Sequence, residues 1–202
     1  MSRMLVTAVG LTVALGASPV PRQDRTLTQA DADSMNAKLS FIVETGEVPR
    51  PADAPPVQTA FTDREVNAYF RFYGPLFLPK GVQSPVVAIG DRGRLTARAI
   101  VDLDAVRTSQ ERGWLDPLAW VSGKLEVAAA GAVLGANGTG VFQFESATVG
   151  GVSVSKGVLQ ELVRFYTTSP DLPHGFDLDK PFALPAGIRS VGSRRGTATV
   201  VQ

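Results

Sequence analysis

The sequence predicts an α+β fold: a strongly curved antiparallel sheet of long strands wrapped around an amphipathic helix, with extra helices on the N-terminal side. Three observations predict it. Residues Arg94 to Asp104 alternate polar and apolar side chains with period two. Residues 124–149 repeat that alternation on both sides of an Asn-Gly pair. From Lys156 the apolar period becomes helical.

Met1 to about Ala17 has Arg3, an apolar run from Met4 to Ala14, and small residues Gly16-Ala17-Ser18. This is the layout of a secretory signal peptide, and its run is short for a bilayer span of about 20 residues. It predicts export to the periplasm or cell envelope. Residues 18–56 hold a helix from about Thr28 to Thr45, ended by Gly46, and a stiff Pro-rich connector from Pro49 to Pro56. Thr62-Asp63-Arg64-Glu65 is a capping box. It opens a helix with an aromatic stripe of Tyr69, Phe70 and Tyr73, stopped by Gly74-Pro75.

A strand near Val86 to Ile89 turns at Asp91-Arg92-Gly93 into Arg94. Leu95, Ala97, Ala99 and Val101 share one face of the next strand; Arg94, Thr96, Arg98, Asp102 and Asp104 share the other. At about 3.3 Å per residue this strand is roughly 36 Å long. Residues 105–123 form a long connection with Trp114 and Trp120. It reads as a lid over the end of the core, as a membrane or lipid contact, because indole favours that interface, or as ordinary partial burial. Lys124 to Leu134 places Leu125, Val127, Ala129, Gly131 and Val133 on one side, and Asn137-Gly138 predicts a tight hairpin into Gly140 to Val149, with Phe142 and Phe144. Ser155 is a natural N-cap. Behind it Val158, Leu159, Leu162, Val163, Phe165 and Tyr166 make an apolar stripe, with Gln160, Glu161 and Arg164 opposite. Residues 169–187 read as irregular, and Ile188 to Val191 pairs with Thr197 to Gln202.

Composition narrows the function. Among 202 residues, 20 basic and 19 acidic side chains leave a net charge of +1, too little basic excess to neutralise nucleic-acid phosphates. The absence of cysteine excludes disulfides, thiolate metal sites and cysteine nucleophiles. Ser153 and Ser155 follow Gly150-Gly151 without the Gly-x-Ser-x-Gly spacing, and His174 is the one histidine. Asp102 and Asp104 share a charged strand face with Arg94 and Arg98, which suits solvated ion pairs better than a metal or a glycosidase pair. The reading is therefore of a protein that is not an enzyme, with no cofactor or metal.

The order of elements resembles the tubular lipid-binding (TULIP) superfamily, and within it the exported LmeA-like phospholipid-binding proteins of bacteria. Thr62 to Asn67, Arg94 to Asp104, Val149 to Val154 leading into the helix, and Phe182 to Ile188 carry the resemblance, which covers residues 57–202. It implies that residues 57–202 form a curved-sheet domain holding a lipid between sheet and helix. The residues that would line such a cavity are Leu95, Ala97, Ala99, Val101, Leu125, Val127, Ala129, Phe142, Phe144, Val158, Leu159, Leu162 and Phe165, with Trp114 and Trp120 as lid or membrane contact. Small residues in mid-face leave a volume that either the helix side chains or an acyl chain fills. The alternative is a structural or assembly module of the envelope that acts through protein contacts.

Overall fold

The computed structural model describes residues 26–48, 51, 54–102, 104–105, 123–168 and 172–202, and their side chains except those of 162, 165 and 166. The segment expected to be a signal peptide, most of the 105–123 connection with both tryptophans, and the side chains of Leu162 and Phe165 lie outside the described residues. The fold is α+β, and the described residues form three α-helices and a nearly closed antiparallel sheet of nine strands.

Helix α1 spans Gln29–Glu47, β1 Gln58–Thr62 and α2 Asp63–Phe72, followed by a 3-10 turn at Gly74–Leu76. Then come β2 (Val82–Ile89), β3 (Arg94–Asp102), β4 (Lys124–Ala136), β5 (Thr139–Val149), β6 (Val152–Ser153) and α3 (Lys156–Thr167). The chain ends with β7 (Phe182–Ala183), β8 (Ser190–Arg194) and β9 (Thr197–Val201). The strands run β1-β9-β8-β4-β3-β2, with β5 on the other edge of β4 and β6 and β7 paired to β5.

Asn137 and Gly138 have φ of 51° and 76°. They close the β4–β5 hairpin as the tight turn expected for that pair. Three differences concern the strands. Strand β2 begins at Val82, earlier than the sequence suggests, because Pro85 sits in a bulge between Gln83 and Val86 on an edge strand, where its missing N–H costs no ladder bond. Strand β1 was not expected. Its five residues, Gln-Thr-Ala-Phe-Thr, carry too few apolar side chains to announce a strand, and pairing with β9 organises them. Likewise Phe182–Ala183, expected to be irregular, forms a short strand against Thr139 and Gly140.

Gly46 does not end α1. The helix runs one residue beyond it, and a Cβ at Gly46 would lie 2.3 Å from the Ala186 carbonyl oxygen. Glycine is there for a close approach of backbones. Around that contact Ile42, Ile188 and Val200 form a small core with Phe61, Leu184, Ala186 and Val191 packed against it.

Helix α1 buries Ala32 and Met35 and α2 buries Ala68, and ion pairs join the two helices as well. The Arg64 guanidinium donates to both Asp31 oxygens, at 2.9 and 2.7 Å, and to the Thr26 carbonyl. Glu65 closes the α2 capping box with Thr62 and also accepts from Ser34 and Lys38, each at 2.6 Å. The Arg64 hydrogen bonds hold the Asp31 carboxyl well below its ordinary range. Partial burial pushes Glu65 up, but hydrogen bonds from Lys38, Ser34 and the Thr62 backbone outweigh it and lower the carboxyl to about 2.

A carboxyl depressed in the folded state stabilises the fold above its ordinary pKa of 4.5 and loses that contribution as pH falls towards 2. The thermal midpoint will therefore drop across that window, and Glu65→Gln will flatten the drop. Glu65→Ala will lower stability at neutral pH by about 1–2 kcal/mol through loss of the cap and the Lys38 contact, read by urea denaturation.

Candidate functional site

The long sheet has two faces, and register assigns every side chain to one of them. Leu95, Ala97, Ala99 and Val101 of β3 lie opposite Gly131, Ala129, Val127 and Leu125 of β4. Val127 and Ala129 pair in turn with Val149 and Ala147 of β5. A bulge between Ala130 and Gly131 then places Phe144 opposite Gly131 and Phe142 opposite Val133. All nine strand residues expected to share a face thus do so. Most are half-buried, and Ala97 is exposed.

Towards the hairpin tip this face is filled by the protein itself. A Cβ at Gly131 would lie 2.6 Å from the Phe142 ring, and one at Gly140 would lie 2.5 Å from the Phe182 ring. Leu184 covers Gly135 and Gly140, and Phe176 meets Phe182 edge-to-face with centroids 5.2 Å apart. Towards β2 and the start of β4, Ala97, Ala99, Val127 and Ala129 provide a shallower floor.

Helix α3 begins at Ser155, whose Oγ accepts from the Val158 N–H. Its orientation differs from that expected of the apolar stripe. Val158 is 48% exposed, Leu159 and Val163 are half-buried, and Gln160, expected on the solvent side, is 6% exposed. Gln160 is buried because the returning chain packs on it: its Nε2 donates to the Phe176 carbonyl and its Oε1 accepts from the Leu178 N–H at 2.7 Å. Thr167 accepts from the Phe176 N–H, Arg164 reaches Asp177, and Lys156 bonds Asp179. Gly175, with φ of 64°, brings its backbone against Arg164. Polar and ionic contacts therefore hold α3 to residues 172–180.

Two solvent-open hollows lie on the opposite face. One, of about 380 Å³, is lined by Val86, Ala88, Thr96, Arg98, Ala128 and Thr148, among others. The other, of about 590 Å³, runs along Leu134, Val141 and Gly192. The first hollow follows the alanines and small polar residues of that face.

The groups considered for catalysis have structural partners or open surroundings. Strand β3 stops at Asp102, so Asp104 does not continue its face. Asp102 accepts from the Ala105 N–H and lies 3.9 Å from Lys124, and Asp104 accepts from the Gly123 N–H. Ser155 caps α3, and Ser153 and His174 are exposed. Among the described residues no three His, Cys, Asp or Glu side chains gather as a metal site would require. Sequence reasoning missed Asn67, whose side-chain amide bonds both the N–H and the carbonyl of Val87 on edge strand β2, at 2.7 and 2.8 Å. Compared with protein families, curated proteins and solved structures, the chain matches none of them.

The tip packing is open to test. Gly140→Ala will displace Phe182 and cost about 1–3 kcal/mol in urea denaturation. Gly192→Ala, whose added Cβ meets nothing within 4 Å, will stay within about 0.5 kcal/mol of the unsubstituted chain.

Proposed function

We propose that this protein is an exported, non-catalytic binding protein of the periplasm or cell envelope that holds a lipid or another hydrophobic molecule against its long sheet. The observation that carries the reading is incomplete cover. No large side chain among the described residues is fully buried, and the face with Leu95, Val101, Leu125, Val127, Phe142 and Phe144 is only half-buried. Apolar surface of that length favours a partner of its own kind, since burial contributes about 25 cal/mol per Å². The resemblance to TULIP proteins supports the same reading, with α3 as the inner helix. Its polar staples to residues 172–180 suit a helix that moves aside to admit an acyl chain.

A second reading rests on Leu134 and Val141, cross-strand partners on the opposite face that are 42% and 38% exposed. They favour a structural module of the envelope that docks another protein there.

Native mass spectrometry after mild extraction, together with titration of a fluorescent fatty acid, separates the two. A carrier shows co-purifying lipid and saturable binding, and Ala129→Trp, which fills the mid-face floor, weakens that binding at least about tenfold. Absence of both signals sinks the carrier, and crosslinking in the envelope to one specific protein then supports the module.

A further inference from the structure

The turn after α2 puts apolar side chains where water should be. Leu76 is 83% exposed, Phe77 49% and Phe72 37%. The turn is well braced: Leu76 and Phe77 donate backbone N–H groups to Tyr73 and Gly74, Pro75 stiffens its start, and Leu78 folds back over Gly74. Beneath it Phe77 stacks on Tyr69 at 5.3 Å and leans on Phe70 at 6.2 Å, while Tyr69 stacks on Tyr73. The aromatic stripe of α2, with the half-exposed Phe77 ring stacked on it, is thus a base from which Leu76 projects.

Two cations flank this tip. Arg71 lies over the Phe72 ring at 5.7 Å, and Lys80 follows the turn. Both are exposed, and neither has a carboxylate partner among the described residues. The nearby acids are engaged elsewhere: Asp33 accepts from the Tyr73 hydroxyl at 2.7 Å, and Asp102 faces Lys124. A projecting apolar tip between free cations matches a bilayer whose headgroups are anionic and whose interior is apolar. A protein partner fits less well. A stable protein interface needs about 800 Å² per side, whereas this patch is a narrow projection of a few side chains.

We infer that the 72–80 turn is a membrane-docking element that inserts Leu76 and Phe77 into the interface of an anionic bilayer while Arg71 and Lys80 meet its phosphates. The contact stands whether or not the sheet carries a ligand.

Vesicle flotation of the full chain tests it, using phosphatidylcholine vesicles with and without phosphatidylglycerol. The chain floats with the anionic vesicles and much less with the neutral ones, and added salt weakens the association. Leu76→Ser weakens it about tenfold, and Lys80→Glu at least about fivefold. At such exposure Leu76→Ser leaves the thermal midpoint and the fatty-acid titration unchanged, which separates this contact from ligand binding. Flotation that Leu76→Ser does not alter, equal flotation with both vesicles, or no flotation overturns the inference. So does a self-associated chain in sedimentation that Leu76→Ser returns to monomer, because the tip would then be a contact between copies.

Discussion

The rest of the sheet depends on the register of β4. This strand pairs along its length with β5, whose alignment the Asn137-Gly138 turn sets, and along its other edge with β3 until Arg94 meets Ala132. A shift of one residue would move every side chain to the opposite face. The bulge at Glu145 is part of the same constraint. It brings Phe142 and Phe144 onto the face of Ala147 and Val149, although their numbers differ in parity. That face then carries aromatic rings over Gly131 and Gly140, where any larger residue would collide with them. Beyond the end of β3, β8 takes over the free edge of β4 at Gly135, which joins the terminal hairpin to the main sheet.

Around this frame, side-chain amides and hydroxyls complete the backbone ladders. Asn67 serves the edge of β2, Gln160 serves residues 176–178, and Ser193 both accepts from the Gly93 N–H and donates to the Gly90 carbonyl. Gln202 donates to the carbonyls of Ile42 and Ala186 and so ties β9 to α1. Each such bond contributes about 0.5–1.5 kcal/mol net, comparable to what thin apolar burial supplies here. Helices held this way open locally at less cost than helices anchored by a filled core. For α1 the ion pairs of Arg64 and Glu65 add to the small Ile42 core. For α3 the described attachment to residues 172–180 is polar and ionic.

Much of the sheet was legible because period-two alternation and an Asn-Gly pair are local signals. The two long hairpins, the Thr62 capping box and the α3 start could be read from neighbours in sequence alone. Strand β1 could not, since its pairing with β9 is a contact between distant segments. Gly46 looked like a helix terminator because its reason, the Ala186 backbone, lies 140 residues away in the chain. Gln160 misled in the same manner. A polar residue beside Glu161 and Arg164 reads as solvated, and only the return of residues 176–178 shows that its amide has two buried partners. The nine sheet residues proposed for a ligand were placed together correctly because register follows from alternation. How far anything covers them is a tertiary matter that alternation does not encode.

What remains uncovered is informative because the two places differ in shape. The sheet face is broad, shallow and floored by alanines, so it can meet something long and thin along many small contacts, each worth little alone. At the 72–80 turn Leu76 stands exposed above a stack of rings that includes Phe77. A protein that only needed to fold would gain by turning Leu76 inward or replacing it with a polar residue, since exposed apolar side chains give nothing to stability. The rings of Tyr69, Phe70 and Phe77 instead brace the turn, so little conformational entropy would be lost if it entered an apolar phase as proposed. In the carrier proposed above, a tip that docks on a bilayer and a helix held by polar contacts beside an apolar sheet are complementary properties. There the first would fix where the molecule stands, and the second would leave its sheet able to exchange what it holds.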